Sequence, residues 1–185
     1  FYIFYSMFGF QRVNDQIWQA ADARARGFLM GATAGRTTLN GEGLQHQDGH
    51  SLLHASTVPF CRSWDPAYAY ELATIIRHGI NEMWGENQDV FHYIMLYNQN
   101  ERQPPKPEGI DDKIIKGAYR LSESKSDDRP NVRILGSGPI LSHVIEASEK
   151  LVELGINTEI WSVTSYGELR REGLESQRIN RLYPE

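Results

Sequence analysis

Val132-Arg133-Ile134-Leu135-Gly136-Ser137-Gly138-Pro139-Ile140 reads as a strand that runs through a tight turn into a helix. Val132 to Leu135 is apolar and rich in β-branched residues, and glycine and proline supply the turn. Ile140 to Leu154 carries Ile140, Val144, Ala147 and Leu151 at spacings of three and four, which places them on one helical face. Gly155 is positioned to end that helix, and Thr158 to Val163 supplies a second strand. Strand, helix and strand in this order form a βαβ unit and predict a parallel α/β architecture. Ser165 is placed to cap a further helix from Tyr166.

Upstream the same alternation repeats. Tyr2 to Tyr5 reads as the end of a buried strand. Phe8 to Arg26 reads as a helix with Val13, Ile17, Ala20 and Ala21 on its apolar face. Arg24 and Arg26 complement the C-terminal end of its dipole, and Gly27 is placed to stop it. Phe28 to Met30 is a short buried strand, Gly35 to His50 a polar loop, and Ser56 to Phe60 a weak strand. Asp65-Pro66 opens a helix that runs to Gly85, with Asp65 as N-cap. Val90 to Leu96 is a strand, Asn98 to Gly109 a connector, and Tyr119 to Leu121 a short edge strand. The polar run Ser122 to Asn131 is the best domain boundary.

Composition sets the outer limits. The 185 residues include 40% hydrophobic and 23% charged residues, an ordinary globular balance. The net charge is -5 with no basic stripe, which argues against a nucleic-acid partner. No apolar run approaches the roughly 20 residues that cross a bilayer. The single cysteine, Cys61, excludes an internal disulfide framework and fits a reducing compartment; it reads as a small buried apolar residue. The aromatic-rich start, Phe1 to Phe10, lacks the features of a signal peptide and reads as the interior of a domain. Both ends are expected to be cut.

Three stretches could carry chemistry. In Gly41-Glu42-Gly43-Leu44-Gln45-His46-Gln47-Asp48-Gly49-His50-Ser51-Leu52-Leu53-His54, three of the six histidines lie four apart. On a helix that spacing can bind zinc, but each glycine costs about 1 kcal/mol in a helix, which favours a loop. The loop is either a polar surface segment or an active-site segment in which a histidine moves a proton near neutral pH. The Tyr5, Phe8 and Phe10 rings are either core or a platform for a flat heterocycle, with Arg12 as a fixed charge. Gly136-Ser137-Gly138 lacks the third glycine of a dinucleotide fingerprint, since position 141 is Leu, and reads as a structural turn.

Several segments together resemble the homodimeric, bacterial-type pyruvate dehydrogenase E1 component, a thiamine-diphosphate-dependent family. They are Tyr5-Ser6-Met7-Phe8-Gly9-Phe10-Gln11-Arg12, Gly35-Arg36-Thr37-Thr38-Leu39-Asn40-Gly41-Glu42-Gly43-Leu44-Gln45-His46, Asp48-Gly49-His50-Ser51, Asp65-Pro66-Ala67-Tyr68-Ala69-Tyr70-Glu71 and Leu135-Gly136-Ser137-Gly138. Their order and spacing also match, and the resemblance covers nearly the whole chain as an internal piece. It implies an α/β, transketolase-like fold of parallel sheets flanked by helices. Residues 1–121 would be the later part of the pyrimidine-binding domain, 122–131 a linker, and 132–185 the first half of the C-terminal domain.

The resemblance also implies the chemistry. The cofactor would be thiamine diphosphate with magnesium, the substrate pyruvate, and the acceptor a lipoyl domain of dihydrolipoyl acetyltransferase. The protein would be a cytoplasmic homodimer. Tyr5 and Phe8 would flank the aminopyrimidine ring and Arg12 would support that pocket. Glu42 and His46 would face the reaction centre, with His46 as proton donor or substrate-orienting group, and His50 would share their loop. The family's catalytic glutamate and its magnesium-diphosphate motif would lie outside this chain, so the chain alone is expected to be inactive, with no metal ligands of its own. Val13-Asn14 departs from the apolar-glycine pair that follows Gln-Arg in the family. Other readings are a different thiamine-diphosphate 2-oxoacid dehydrogenase or transketolase relative, a non-catalytic α/β interaction module, and a zinc hydrolase built on His46, His50 and His54.

Overall fold

A computed structural model describes residues 1–32, 37, 46, 48, 50–125 and 127–184, without the side chains of residues 6–8. Four parallel strands form the first sheet: β1 (Tyr2–Tyr5), β2 (Phe28–Ala32), β3 (Cys61–Trp64) and β4 (Phe91–Met95), in the order β1-β2-β4-β3. All five residues of β4 are buried. A strand covered on both faces needs apolar side chains on both sides of the pleat. Phe91, Tyr93 and Met95 pack on one face with Phe10, Ile17, Ala21, Ala55, Val58 and Cys61. Ile94 packs on the other with Phe28, Met30, Trp64, Ile75 and Met83. The first face is covered by α1 (Ser6–Arg12), α2 (Asn14–Asp22) and α3 (Ser51–Ser56), the second by α4 (Ala69–Ile80) and α5 (Asp111–Ile115). Gly31 has no side chain because the Tyr93 ring lies across it; a Cβ there would meet Tyr93 Cζ at 2.8 Å.

The second sheet has three strands, β5 (Ala118–Ser122), β6 (Asn131–Gly136) and β7 (Asn157–Val163), in the order β5-β7-β6. β6, α6 (Ile140–Glu153) and β7 form the expected βαβ unit with β6 and β7 parallel. β5 lies at the edge, as expected, but it runs antiparallel to β7, so this sheet is mixed rather than parallel. Its first strand also precedes the polar Ser122–Asn131 segment in the chain. α7 (Tyr166–Leu182) follows, and Ser165 Oγ accepts from Glu168 N as its N-cap.

The sheets are joined by main-chain and buried side-chain bonds. Asp65 N donates to Thr164 O at 2.8 Å, and Gly138 N donates to Asp65 O at 3.1 Å. Glu71, fully buried, receives four donors: Ala67 N and Tyr68 N on one oxygen, Tyr119 Oη and Ser162 Oγ on the other, each at 2.7 Å. Burial pushes this carboxyl above its ordinary range, and the four donors counter that push.

Several sequence expectations fail locally. The expected helix from Phe8 to Arg26 is two helices, broken at Val13 (φ −110°, ψ 18°). It stops at Asp22, because Arg24 turns into the left-handed region (φ 54°); Gly27 does not stop it. Arg26 instead pairs with Asp89 at 2.6 Å and donates to Met83 O. Ser56 to Phe60 is no strand: a short helix ends at Ser56 and the strand begins at Cys61. Asp65 does not cap α4. Its main chain is taken by the second sheet, and Tyr68 with Glu71 caps the helix three residues later. On α6 the buried positions are Leu141, Val144 and Ser148, so the face is rotated from the one expected, and Ile140 is exposed.

Candidate active site at the C-terminal edge of the first sheet

Ligands of parallel α/β sheets bind beyond the carboxyl ends of the strands. In the first sheet Tyr5 ends β1 and Ala32 ends β2, and the two are register partners. Alternation along β1 turns Phe4 inward, where its ring meets Tyr93 and Phe10 at centroid distances of 6.1 and 6.4 Å. Tyr5 therefore points away from that cluster, and 47% of it is exposed. The chain enters α1 directly afterwards with Tyr5 as its N-cap residue. Arg12, in the last turn of α1, returns to the same place. Tyr5, Gly9, Arg12, Val13 and Ala32 line one cleft of about 450 Å³, together with Tyr2, Ile3 and Phe4.

His46 lies at this edge. Its ring stands perpendicular to that of Tyr5, at 84° and 5.1 Å between centroids. Two residues on, Asp48 is 5% exposed. One Asp48 oxygen accepts from Ser51 N at 3.0 Å and the other from Ser51 Oγ. Ser51, fully buried, sits 3.3 Å from Met95 Sδ, and Tyr93 Oη donates to the same sulfur at 3.2 Å. Burial, and then the charge of Asp48, hold the Tyr93 phenol well above its ordinary value, so it stays protonated.

Of the sequence candidates, Tyr5, Arg12 and His46 come together here. Glu42 lies outside the described residues, as does the side chain of Phe8. His50 and His54 form a separate pair, with ring centroids 5.0 Å apart at the start of α3. Among the described residues, no group of three His, Cys, Asp or Glu side chains is placed to hold a metal ion. Cys61 is buried and its thiol is pushed up to about 12, chiefly by that burial, so it is no nucleophile at neutral pH. The Gly136–Pro139 turn is structural in that Gly138 N is spent on Asp65 O. Sequence reasoning gave no role to Asp48, Ser51 or Tyr93, since no local pattern shows that Asp48 and Ser51 are buried against Met95.

A four-stranded parallel sheet with this cleft at its carboxyl edge, joined to a βαβ unit, defines a transketolase-like α/β protein. Solved transketolases share the fold. That of Campylobacter jejuni superposes with a TM-score of 0.72 over 91% of this chain and 25% of its own, at 17% identity. A split-gene transketolase, described as an inactive β4 tetramer, gives 0.62 over 95% and 53%, at 19% identity. Among helices of the described residues, none is long and apolar enough to cross a membrane.

The family is narrower than the fold. Residues 1–104 match the pyruvate dehydrogenase E1 component middle domain, and residues 117–181 match the transketolase-like C-terminal domain. The whole chain is 58% identical to the pyruvate dehydrogenase E1 component of Pseudomonas aeruginosa and 52% identical to that of Escherichia coli K12. It spans 21% of the length of each. The chain belongs to the pyruvate dehydrogenase E1 component family.

Proposed function

We propose that the chain is part of a longer enzyme that decarboxylates pyruvate oxidatively and passes the acetyl unit to a lipoyl group of dihydrolipoyl acetyltransferase. The observation that carries this reading is a cleft at the carboxyl edge of a parallel sheet, lined by Tyr5 and Arg12, with the His46 ring against that of Tyr5. Residues 1–121 would then serve as the later part of the pyrimidine-binding domain, 122–131 as a linker and 132–185 as the first half of the C-terminal domain, with β5 (Ala118–Ser122) lent across that boundary to the second sheet. The enzyme would be a cytoplasmic homodimer, and the chain alone would be inactive.

The residues present fit the flat end of thiamine diphosphate. The half-exposed Tyr5 ring opens into a cleft lined by Ile3, Phe4 and Val13, which suits an aminopyrimidine. The cofactor supplies, when bound, the electron sink that a 2-oxoacid needs to lose carbon dioxide. Its diphosphate and magnesium would be held by residues outside this chain. Tyr5 would hold the ring, Arg12 would fix charge beside it, and His46 would orient the substrate carbonyl or move a proton to it. Glu42 would assist His46, and Phe8 would complete the ring pocket. An imidazole suits that task because one ring nitrogen can donate while the other accepts.

The test is pyruvate-dependent reduction of an artificial electron acceptor by the full-length protein, with and without thiamine diphosphate and magnesium, for wild type and His46→Ala. Cofactor-dependent activity that collapses in the variant supports the reading. Activity on other 2-oxoacids but not on pyruvate would reassign the substrate. No cofactor-dependent activity on any of them would end the enzymatic reading.

A further inference from the structure

We infer that Asp48 is a positioning residue for His46, acting through its clamp on Ser51; this rests on the proposed role of His46. Burying a carboxylate is costly unless its oxygens find donors. Accepting one amide at the start of α3 does not require that cost, since a solvent-exposed carboxylate can accept the same bond. Yet Asp48 is almost wholly buried and gives both oxygens to one residue, Ser51. Ser51 is itself fully buried against Met95, the last residue of β4.

The clamp closes on the same hub that supports Tyr5. Tyr93 donates to Met95 Sδ and packs against Phe10 at 4.8 Å and against Phe4 at 6.1 Å. Phe4 precedes Tyr5 on β1. Asp48, through Ser51, and the end of β1 are thus fixed to one buried cluster. From Asp48 to His46 the chain can extend no further than roughly 7 Å. Anchoring Asp48 therefore confines the imidazole to the neighbourhood of the Tyr5 ring, where the two rings meet. Small displacements of a reacting group cost rate steeply, about 10²-fold for 1 Å, so a buried anchor two residues away gives His46 its precision.

The experiment is a mutant cycle in the full-length, cofactor-loaded enzyme, read as kcat and as KM for pyruvate. Asp48→Ala is expected to lower kcat by about 10- to 100-fold, Ser51→Ala by less, and Asp48→Asn to restore part of the loss. KM should stay within about 2-fold, because the loss is of orientation rather than of substrate binding. In a His46→Ala background, Asp48→Ala and Ser51→Ala should each change kcat by less than about 2-fold, since both act through the same imidazole. Losses that add fully to that of His46→Ala overturn the inference, as do wild-type rates in Asp48→Ala and Ser51→Ala. If Asp48→Ala does not fold, the Ser51→Ala cycle decides by the same criterion. If His46→Ala itself keeps full activity, the proposed role of His46 falls first and this inference with it; a loss in His46→Ala without one in the Asp48 and Ser51 variants removes this inference alone.

Discussion

Two histidines sit at opposite ends of the first sheet, and their surroundings differ in every respect that matters. His46 lies at the carboxyl edge, half-buried, with its ring against a half-exposed Tyr5 that opens into a cleft. His92 lies near the amino end of β4 and is fully buried. Its Nδ1 accepts from Trp64 Nε1 at 2.9 Å, and its Nε2 lies 3.2 Å from Glu82 Oε2. Glu82 also takes Arg62 at 3.1 Å, and Arg62 extends the network to Glu168 on α7 at 3.4 Å. Acceptance at Nδ1 puts the proton of a neutral ring on Nε2, facing the carboxylate. One end of the sheet holds an imidazole against the ring of Tyr5, a residue that lines a cleft. The other end consumes its imidazole in structure, which leaves nothing for a ligand.

That contrast sets the largest expected effect. His46→Ala in the full-length enzyme should lower cofactor-dependent turnover by about 10²- to 10³-fold, the range that positioned acid-base groups contribute. Its thermal unfolding should hardly move. A variant that melts early but turns over normally would make the two histidines alike.

His92→Ala should behave in the opposite way. It leaves the Trp64 N–H and the Glu82 carboxylate without their shared partner in the interior, which costs on the order of 3 kcal/mol. Chemical denaturation should show that loss, while kcat per folded molecule stays within about 2-fold of wild type. A large loss of kcat without loss of stability would place function at the amino end of the sheet as well.

The sequence showed the frame and not this distinction. Apolar, β-branched runs marked β4, β6 and β7, and three- and four-residue spacing marked α6, although in β6 only Ile134 packs on the core while Val132 and Leu135 are exposed. The same reading misplaced the start of α4 because Asp65 is spent on Thr164 and Gly138, partners far along the chain. It missed α3 because the six residues of that helix are fixed by Asp48 and Met95 rather than by propensity. His92 drew no comment in an apolar run, and nothing local predicts that Trp64 and Glu82 converge on it. Tyr5, Arg12 and His46 are candidates only through the resemblance of their segments; that Tyr5 and Arg12 line one cleft, with His46 against Tyr5, is a product of strand register and of the return of α1.

Glu82 offers a smaller test of the closed end. Burial alone would raise its carboxyl, but His92 and Arg62 outweigh that and hold it down to about 2, against an ordinary value of 4.5. A depressed carboxylate stabilises the fold above its unfolded-state value, and that stability is lost as the pH falls through the folded value. Stability should therefore decline between pH about 4.5 and about 2. Glu82→Gln should be less stable at pH 7, and the gap from wild type should narrow across that window. A gap independent of pH would mean that the Glu82 charge contributes nothing to the network.

The smallest effect belongs to the second pair of imidazoles, His50 and His54. Their rings are tilted against each other at 49°, and Leu53 between them is 68% exposed. His54 donates no side-chain bond that the helix needs: its carbonyl, not its ring, receives Thr57 Oγ1 at 2.7 Å. Surface substitutions of this kind stay within about 0.5 kcal/mol. His54→Ala should change the melting behaviour within that limit and leave turnover within about 2-fold. Spacing in the sequence makes His46, His50 and His54 equivalent, yet only His46 is held beside Tyr5. A His54→Ala variant that lost turnover as His46→Ala does would bring the start of α3 into the reaction centre and dissolve the difference between the three.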